Sequence, residues 1–358
     1  MTLATISSMV MAGITDMDWT KIVVDALRSA VGIPAAVYAL AAVGLNVQYG
    51  YTGLINFGHV GFMLVGAYGT AITVDQGGPL WLGVLVGILA SVVLAFVIGI
   101  PTLRLRADYL AIVTIAMAEI LRYTVLSRSF QPTTGGTQGL KGFAQPFYRL
   151  NPIPEGRYSL GDLPIVPDDV WLLSDVRFQE RQLWLMLVGW TLVVLFTILL
   201  WLAGRAPWGR VMRSIREDED AARSLGKSVF SYKMQSLVIG GVIGSLAGMV
   251  TAFDGSFVDP TYFLAVTTFY VYTVVILGGR GKVMAPIVGS IVFWFVFQGI
   301  DGVLRQAISN DVISASVIGP TDIGAVQNAF VGLALMGLIV LLPQGIFGSR
   351  RELMVDER

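Results

Sequence analysis

Long apolar stretches with few charges are the feature that most constrains this chain. A bilayer hydrocarbon core about 30 Å thick is crossed by roughly 20 helical residues, so apolar windows of about that length predict membrane spans. Runs of this length without strict alternation favour helices over barrel strands. Nine windows qualify, and they cover residues 30–48, 53–74, 80–102, 109–126, 183–203, 234–253, 262–278, 283–300 and 325–342. The sequence therefore predicts an all-α, polytopic membrane protein of about nine transmembrane or re-entrant helices.

Composition excludes several other classes of protein. Hydrophobic residues make up 55% of the chain and charged residues only 13%, which is unlike a soluble domain. The 24 Lys and Arg balance the 24 Asp and Glu, so no basic field exists to bind nucleic acid. The chain has no cysteine and one histidine, His59, which excludes thiolate zinc sites and iron–sulfur clusters. We expect neither a metal site nor a cofactor, and no nucleic-acid partner.

The distribution of basic residues predicts the orientation in the membrane. Residues 204–233 carry seven Lys or Arg, whereas the longer stretch 127–182 carries six in 56 residues. Because loops rich in Lys and Arg stay in the cytoplasm, we expect the first stretch inside and the second outside. The predicted organisation is an N-terminal segment, 1–29, a transmembrane domain, 30–342, and a cytoplasmic tail, 343–358.

The beginning of the chain is expected to be irregular. The first inside loop, near residues 48–52, has no charge, so one early span is expected to be re-entrant. A short helix is predicted around residues 19–28. His59 lies between two glycines in the run 56–61, which permits a broken helix beside protein or a water-filled cavity. Two roles stay open for His59: it lines a pathway, or it hydrogen-bonds a carbonyl group freed by the break.

The charged stretch 209–226 predicts a short helix of about two turns. Ser214 is the predicted N-cap, acidic residues at 217–220 favour a helix N-terminus, and Gly226 is the predicted left-handed C-cap. Small alanines let such a helix sit in a groove on another protein. The alternative is an ordinary basic loop that satisfies the positive-inside rule.

The same stretch resembles a known family. Asp220-Ala221-Ala222 followed by Gly226 is similar to the EAA-x-x-x-G signature of permease subunits in ATP-binding-cassette importers, with Asp in place of Glu. The wider run, from Gly209, resembles the branched-chain amino-acid permeases of the LivM type. The likeness covers about residues 37–347, and further matching motifs lie at 44–46, 50–54, 58–59, 66–68, 103–109, 119–122, 134–140, 277–281 and 343–345.

The resemblance implies the ABC-importer permease fold in the inner membrane of a prokaryote. It implies three kinds of protein partner besides membrane lipid: a second homologous permease subunit, two ABC ATPase subunits and an extracytoplasmic substrate-binding protein. The implied cargo is leucine, isoleucine or valine, although urea and short-amide permeases look similar. The residues expected to couple to the ATPases are Glu217, Asp218, Glu219, Asp220, Ala221, Ala222, Arg223 and Gly226.

ATP hydrolysis is expected in the partner subunits, and this chain is not expected to be an enzyme. The run 278–282 lacks the first glycine of a phosphate loop, and Val283 replaces the Ser or Thr that would hold magnesium. An intramembrane hydrolase is disfavoured because there is no G-x-S-x-G elbow. An ion-coupled secondary transporter is the remaining alternative, and His59 and Glu119 favour it.

Polar residues in apolar surroundings are the candidates for a translocation pathway: Asn46, Asn56, His59, Glu119 and Thr137. Glu119 and Arg122 lie three residues apart on one helix face, so they either pair structurally or gate the substrate. Gly240, Gly244 and Gly248 are spaced four apart and predict a helix-packing stripe. Its partner is another helix of this chain or a sister permease.

Overall fold

The computed structural model describes residues 17–104, 107–159, 174–310, 321–341 and 345–347, together with Thr15, Gly161, Val312 and Gly319. Helices dominate these residues. The α-helices of six residues or more are α1 (Trp19–Val31), α2 (Ile33–Leu45), α3 (His59–Asp75), α4 (Leu80–Thr102), α5 (Ala107–Leu126), α6 (Glu180–Arg205), α7 (Pro207–Glu217), α8 (Glu219–Ser224), α9 (Val229–Phe253), α10 (Ala265–Gly278), α11 (Ala285–Ser309) and α12 (Ile323–Leu341).

Six segments in the described part of the chain are long and apolar enough to cross a membrane. They are Ile33–Tyr51, Leu80–Thr102, Tyr109–Leu126, Glu180–Arg205, Val229–Ser256 and Ala285–Ser309, and shorter apolar helices cover Ala265–Gly278 and Ile323–Ala334. The prediction of a helical, polytopic membrane protein is confirmed. The count of nine spans is not confirmed.

Four short strands accompany the helices, and they identify one end of the bundle. Strand β1 (Leu140–Lys141) pairs antiparallel with β4 (Phe257–Val258), and β2 (Arg157–Ser159) pairs antiparallel with β3 (Arg177–Gln179). All four strands lie where α6 begins and α9 ends, and we call this the strand end. The opposite end, which we call the basic end, carries Arg205, Arg213, Arg216, Arg280 and Lys282.

Helix α9 is the centre of the bundle, and small residues let its neighbours approach closely. It packs against α2, α3 and α4. A methyl group on Gly44 would lie 2.6 Å from the carbonyl oxygen of Gly240, so the backbones of α2 and α9 are in direct contact at this point. Lipid tails are as apolar as the helix surfaces, so the hydrophobic effect does not drive helices together inside a membrane. Close packing is therefore a main source of the affinity between helices there.

The early part of the chain departs most from the predicted spans. The predicted helix 19–28 is present but runs on to Val31, across the predicted domain boundary, and an extended Gly32 separates α1 from α2. A π-helical turn, Asn46–Tyr51, then follows α2. Of the predicted span 53–74, residues 53–58 are not helical, and the helix begins at His59.

Candidate coupling site and intramembrane break

Helix α7 leads into the predicted coupling residues, and the sequence analysis did not identify it. It begins at Pro207, whose fixed φ suits the first helical turn. Met212 and Ile215 are buried on its inner face. Ser214 lies inside α7 and donates from Oγ to the carbonyl oxygen of Val211, 2.8 Å away, so the prediction of Ser214 as an N-cap is wrong. The Ala-Pro start was the sequence signal that could have revealed this helix.

Helix α8 is short but has hydrogen-bonded ends. Asp218 is its N-cap, and Oδ1 accepts from the backbone N–H groups of Asp220 and Ala221 at 2.9 Å each. At the other end, Gly226 has a φ of +74°, and the Gly226 N–H donates to the carbonyl oxygen of Arg223 at 2.9 Å. The Lys227 N–H donates to the Ala222 carbonyl oxygen at 3.2 Å, which completes a Schellman motif.

One face of α8 is anchored to the protein and the other faces solvent. Ala222 is buried against α7 and α9, and Glu219 forms an ion pair with Lys233 of α9. On the free face, Asp220 pairs with Arg223 at 2.8 Å, and the Asp220 side chain is 89% exposed. Leu225 is 78% exposed, although it is a large apolar residue. The free face therefore combines charges with an apolar side chain, as a docking surface does.

A set of hydrogen bonds ties α7 to the membrane bundle. Arg216 Nη1 donates to the Gly50 carbonyl oxygen at 2.7 Å. The side chain of Asn46 accepts from the Gly281 N–H and donates to the Lys282 carbonyl oxygen, both at 2.9 Å. We call Asn46, Gly50, Arg216, Gly281 and Lys282 the basic joint. It connects α7, the π-helical turn and the turn between α10 and α11.

Glycine is required at position 50 of the basic joint. A Cβ atom on Gly50 would lie 2.0 Å from Asn46 Oδ1 and 2.7 Å from the Gly281 nitrogen. Both distances are far inside van der Waals contact. The close approach of the π-helical turn to the turn at Gly281 therefore depends on the absence of a side chain.

The helix break at residues 53–58 is at least partly buried along its length, and side chains accept from three of its backbone N–H groups. The Asn56 N–H donates to Tyr272 Oη and Asn56 Nδ2 donates to Gln48 Oε1, each at 2.9 Å. Asn56 Oδ1 in turn accepts from the Gly58 N–H at 3.0 Å. Backbone groups freed by a helix break inside lipid need such partners.

Two threonines hold the start of α3 against its neighbours. Thr114 Oγ1 of α5 accepts from the Phe57 N–H, and Thr268 Oγ1 of α10 accepts from the Val60 N–H, both at 3.1 Å. The break is thus fixed from two sides by different helices. Any relative movement of α5 and α10 would act directly on the first turn of α3.

His59 is the first residue of α3 and is completely buried. Neither ring nitrogen makes a well-formed hydrogen bond with the described residues. The ring lies against Gly244, where a methyl group would come within 2.8 Å of Cε1 and Nε2. Glycine at position 244 of α9 therefore makes room for the imidazole ring.

The other predicted pathway residues lie elsewhere. Asn46 is part of the basic joint, and Asn56 supports the helix break. Glu119 is paired with Arg122, with Oε2 2.9 Å from Nε and 2.7 Å from Nη2. Thr137 is exposed at the strand end. The structure brings Asn56 and His59 together at one helix break but does not gather all five residues into one site.

The three stripe glycines of α9 contact other helices of this chain. Gly240 lies against α2 at Gly44, and Gly244 lies against His59 of α3. A methyl group on Gly248 would lie 1.9 Å from the carbonyl oxygen of Met63. The stripe therefore contacts α2 and α3, and these contacts occupy the positions that a sister subunit would otherwise use.

Gln48 is the main polar residue that the sequence analysis did not single out. It is fully buried, accepts from Asn56 and donates from Nε2 to the Leu237 carbonyl oxygen at 3.2 Å. The side chain thereby links the π-helical turn, the helix break and α9. Two amide side chains two residues apart in an apolar stretch, Asn46 and Gln48, were the available signal.

A polar cavity of about 600 Å³ opens at the strand end between α6, β1 and the end of α9. Tyr148 is at its wall and donates from Oη to the Phe253 carbonyl oxygen at 2.7 Å. Burial, assisted by Asp254 and opposed by Arg181, raises the pKa of Tyr148 to about 12. Tyr148 is therefore a hydrogen-bond donor at physiological pH.

Comparison with known families adds a decisive observation to this geometry. Residues 29–341 match the family described as branched-chain amino acid transport system, permease component. The chain belongs to this family. The permease domain of the match runs from the end of α1 to the end of α12, so it includes the basic joint, α8 and the helix break.

Individual permease relatives agree with this assignment. The high-affinity branched-chain amino acid transport system permease protein LivM of Salmonella typhimurium is 33% identical over 88% of this chain and 68% of its own length. LivM of Escherichia coli is also 33% identical, over the same shares. The permease LivH of Salmonella typhimurium is 22% identical over 87% of this chain and 91% of its own length. No solved structure matches.

These permease relatives are transporter subunits rather than enzymes, and with the apolar helices they identify a multi-pass membrane protein. In the described part of this permease, no three His, Cys, Asp or Glu side chains are placed to hold a metal ion. The arrangement offers instead a mechanical connection. A solvent-facing helix, α8, is linked through α7 and the basic joint to a broken helix inside the bundle.

Proposed function

We propose that this chain forms the translocation pathway of an ATP-driven importer of branched-chain amino acids and couples it to separate ATPase subunits. The family match and the LivM relatives support the permease role and the substrate class. An apolar cargo side chain leaves no unpaired polar group in an apolar conduit. The zwitterionic part of the amino acid needs polar groups, and Asn56 and His59 at the helix break are the candidates that lie together.

The single observation that carries the coupling role is the hydrogen bond from Arg216 to Gly50. It joins α7, the helix that precedes α8, to the π-helical turn of the first span. Movement of α8 would therefore reach Gln48 and Asn56 through covalent and hydrogen-bonded contacts. Residues 217–226, with Gly226 as the end of α8, are the proposed ATPase contact.

The proposed assembly contains two ABC ATPase subunits, a second homologous permease and an extracytoplasmic binding protein in the inner membrane of a prokaryote. Salmonella typhimurium has two permeases that match this chain, LivM and LivH, which supports a paired permease. The Lys and Arg residues around α8 support a cytoplasmic position for this helix. The binding protein would then dock at the strand end, on the segment 127–182.

Replacement of Gly226 by valine tests this function. A β-branched residue at a φ of +74° costs on the order of 1–2 kcal/mol of backbone strain. No neighbour lies within 4 Å of the new Cβ, so the strain falls on the end of α8 rather than on the bundle. In proteoliposomes that contain the assembled importer, we expect ATP-dependent leucine uptake by the wild type and a loss of at least tenfold in Gly226→Val.

Gly77→Val is the matched control. Gly77 has a φ of +87° and no neighbour within 4 Å of its Cβ position, but it lies between α3 and α4 at the strand end. Its uptake should stay near the wild-type value. Equal uptake by Gly226→Val and the wild type would contradict the coupling role. Leucine uptake driven by an ion gradient without ATP would favour a secondary transporter. ATP-dependent uptake of urea or acetamide, without uptake of leucine, would favour a urea or short-amide permease.

A further inference from the structure

The basic end contains a cavity of about 260 Å³ that borders the basic joint. It lies between the end of α6, α7 and the turn that joins α10 to α11. None of the described residues that line it is acidic. Its charged and aromatic lining includes Arg205, Arg213, Arg216, Arg280, Lys282 and Trp201.

Three of these arginines form no ion pair with the described carboxylates: Arg205, Arg213 and Arg280. Arg213 Nη2 donates to the Gly204 carbonyl oxygen at 2.6 Å, which positions the guanidinium. Arg205 stacks on Trp201 with Cζ 3.8 Å from the ring centroid, and Arg280 lies over the Tyr49 ring at 5.3 Å. The guanidinium groups of these three arginines are therefore held in place, and no described carboxylate neutralises their charge.

Clustered guanidinium groups around a small cavity fit a phosphate. Each guanidinium presents a planar fork of N–H donors that matches phosphate oxygens. Like charges held together repel one another, and a bound anion removes this repulsion. A phosphate group is much smaller than the cavity, so there is room for the atoms that carry it.

The surroundings of the cavity favour a lipid as the source of that phosphate. Arg205 ends α6, and the preceding turns of this helix leave Ile198, Leu199 and Leu202 exposed. Trp201 lies between this apolar face and the arginines, in the position that tryptophan prefers at a membrane interface. Acyl chains along α6 would deliver a headgroup to the cavity.

We propose that this cavity binds the phosphate of an anionic phospholipid in the leaflet at the basic end. The proposal requires the chain to be in a bilayer and does not depend on its cargo. Arg216, Gly281 and Lys282 line the cavity and also belong to the basic joint. A bound headgroup therefore neutralises cations beside the joint and holds α7 in place.

The test measures lipid retention by the purified full-length chain in nanodiscs of phosphatidylglycerol or phosphatidylcholine, with native mass spectrometry as the readout. We expect one tightly retained phosphatidylglycerol and no equivalent phosphatidylcholine. Each cation near an anionic surface contributes about 1 kcal/mol, or about fivefold in affinity. Arg205→Gln and Arg280→Gln should each weaken retention about fivefold, and the double variant about 25-fold.

These two substitutions suit the test because neither side chain donates a hydrogen bond within the described residues. The matched control is Arg149→Gln with Arg157→Gln, which removes two exposed cations at the strand end and should leave retention unchanged. The two single variants carry the test even where the double variant does not fold.

Three results would overturn the proposal. The first is equal retention of phosphatidylglycerol by the wild type and the Arg205 and Arg280 variants. The second is retention of phosphatidylcholine by the wild type as tight as its retention of phosphatidylglycerol. The third is displacement of the lipid by millimolar inorganic phosphate, together with equal thermal stabilisation of the protein by inorganic phosphate in lipid-free detergent and by the lipid. That result would assign the cavity to a soluble phosphate.

Discussion

Single glycines determine the closest contacts in this protein, and Gly248 is the clearest case. A methyl group there would lie 1.9 Å from the carbonyl oxygen of Met63, which belongs to the backbone of α3 and has no rotamer to change. We expect Gly248→Ala to lower stability by about 1–3 kcal/mol because α9 and α3 must separate. Thermal unfolding in detergent measures this.

Gly332→Ala is the control for that substitution. Gly332 lies inside α12 with no neighbour within 4 Å of its Cβ position, so alanine should be neutral or stabilising by up to about 1 kcal/mol. Equal unfolding temperatures for both variants and the wild type would show that α9 and α3 are not in this contact.

At the same scale, the sequence predicts the local conformations better than the distant contacts. The left-handed φ of Gly226 follows from its place after a short charged helix, and the structure has it. Ser214 was assigned a capping role because serine is a good N-cap, but the cap is Asp218. The choice between them depends on where α7 ends, which the burial of Met212 and Ile215 decides.

At the scale of elements, the basic joint is the connection on which the proposed coupling depends. Arg216→Gln removes the charged hydrogen bond to Gly50, an interaction of about 1.5–3 kcal/mol. We expect ATP hydrolysis by the assembled importer to continue while leucine uptake falls about tenfold. The ratio of ATP hydrolysed to leucine transported is the measurement.

Arg210→Gln provides the comparison on the same helix. Arg210 is exposed, and its one hydrogen bond to a described residue goes to the Arg205 carbonyl oxygen at 3.2 Å, outside the basic joint. Its transport ratio should match that of the wild type. A normal ratio in Arg216→Gln, or an equal defect in both variants, would show that the joint does not transmit movement.

The interrupted first span shows why the bounds of the elements are harder to predict than their existence. Hydropathy alone places helices on both sides of residues 48–52, and the structure has them. The π-helical turn and the non-helical residues 53–58 depend on partners far along the chain, such as Gly281, Tyr272 and Thr268. No local pattern encodes those partners.

At the scale of the whole molecule, charge and hydropathy predict a consistent arrangement. The basic end collects the loops after α6 and α10, and the opposite end carries the four short strands. The positions of the strands could not be predicted, because two-residue and three-residue strands leave no periodic signal.

The most direct test of the coupling account measures whether assembly covers the free face of α8. Since the chain has no cysteine, Leu225→Cys and Ser214→Cys each introduce a single reactive thiol, and both native side chains are exposed. Modification by a maleimide is followed with and without the ATPase subunits. The account predicts that the ATPases slow labelling at position 225 at least tenfold and affect position 214 much less. Unchanged labelling at position 225 in an importer that transports leucine would contradict it.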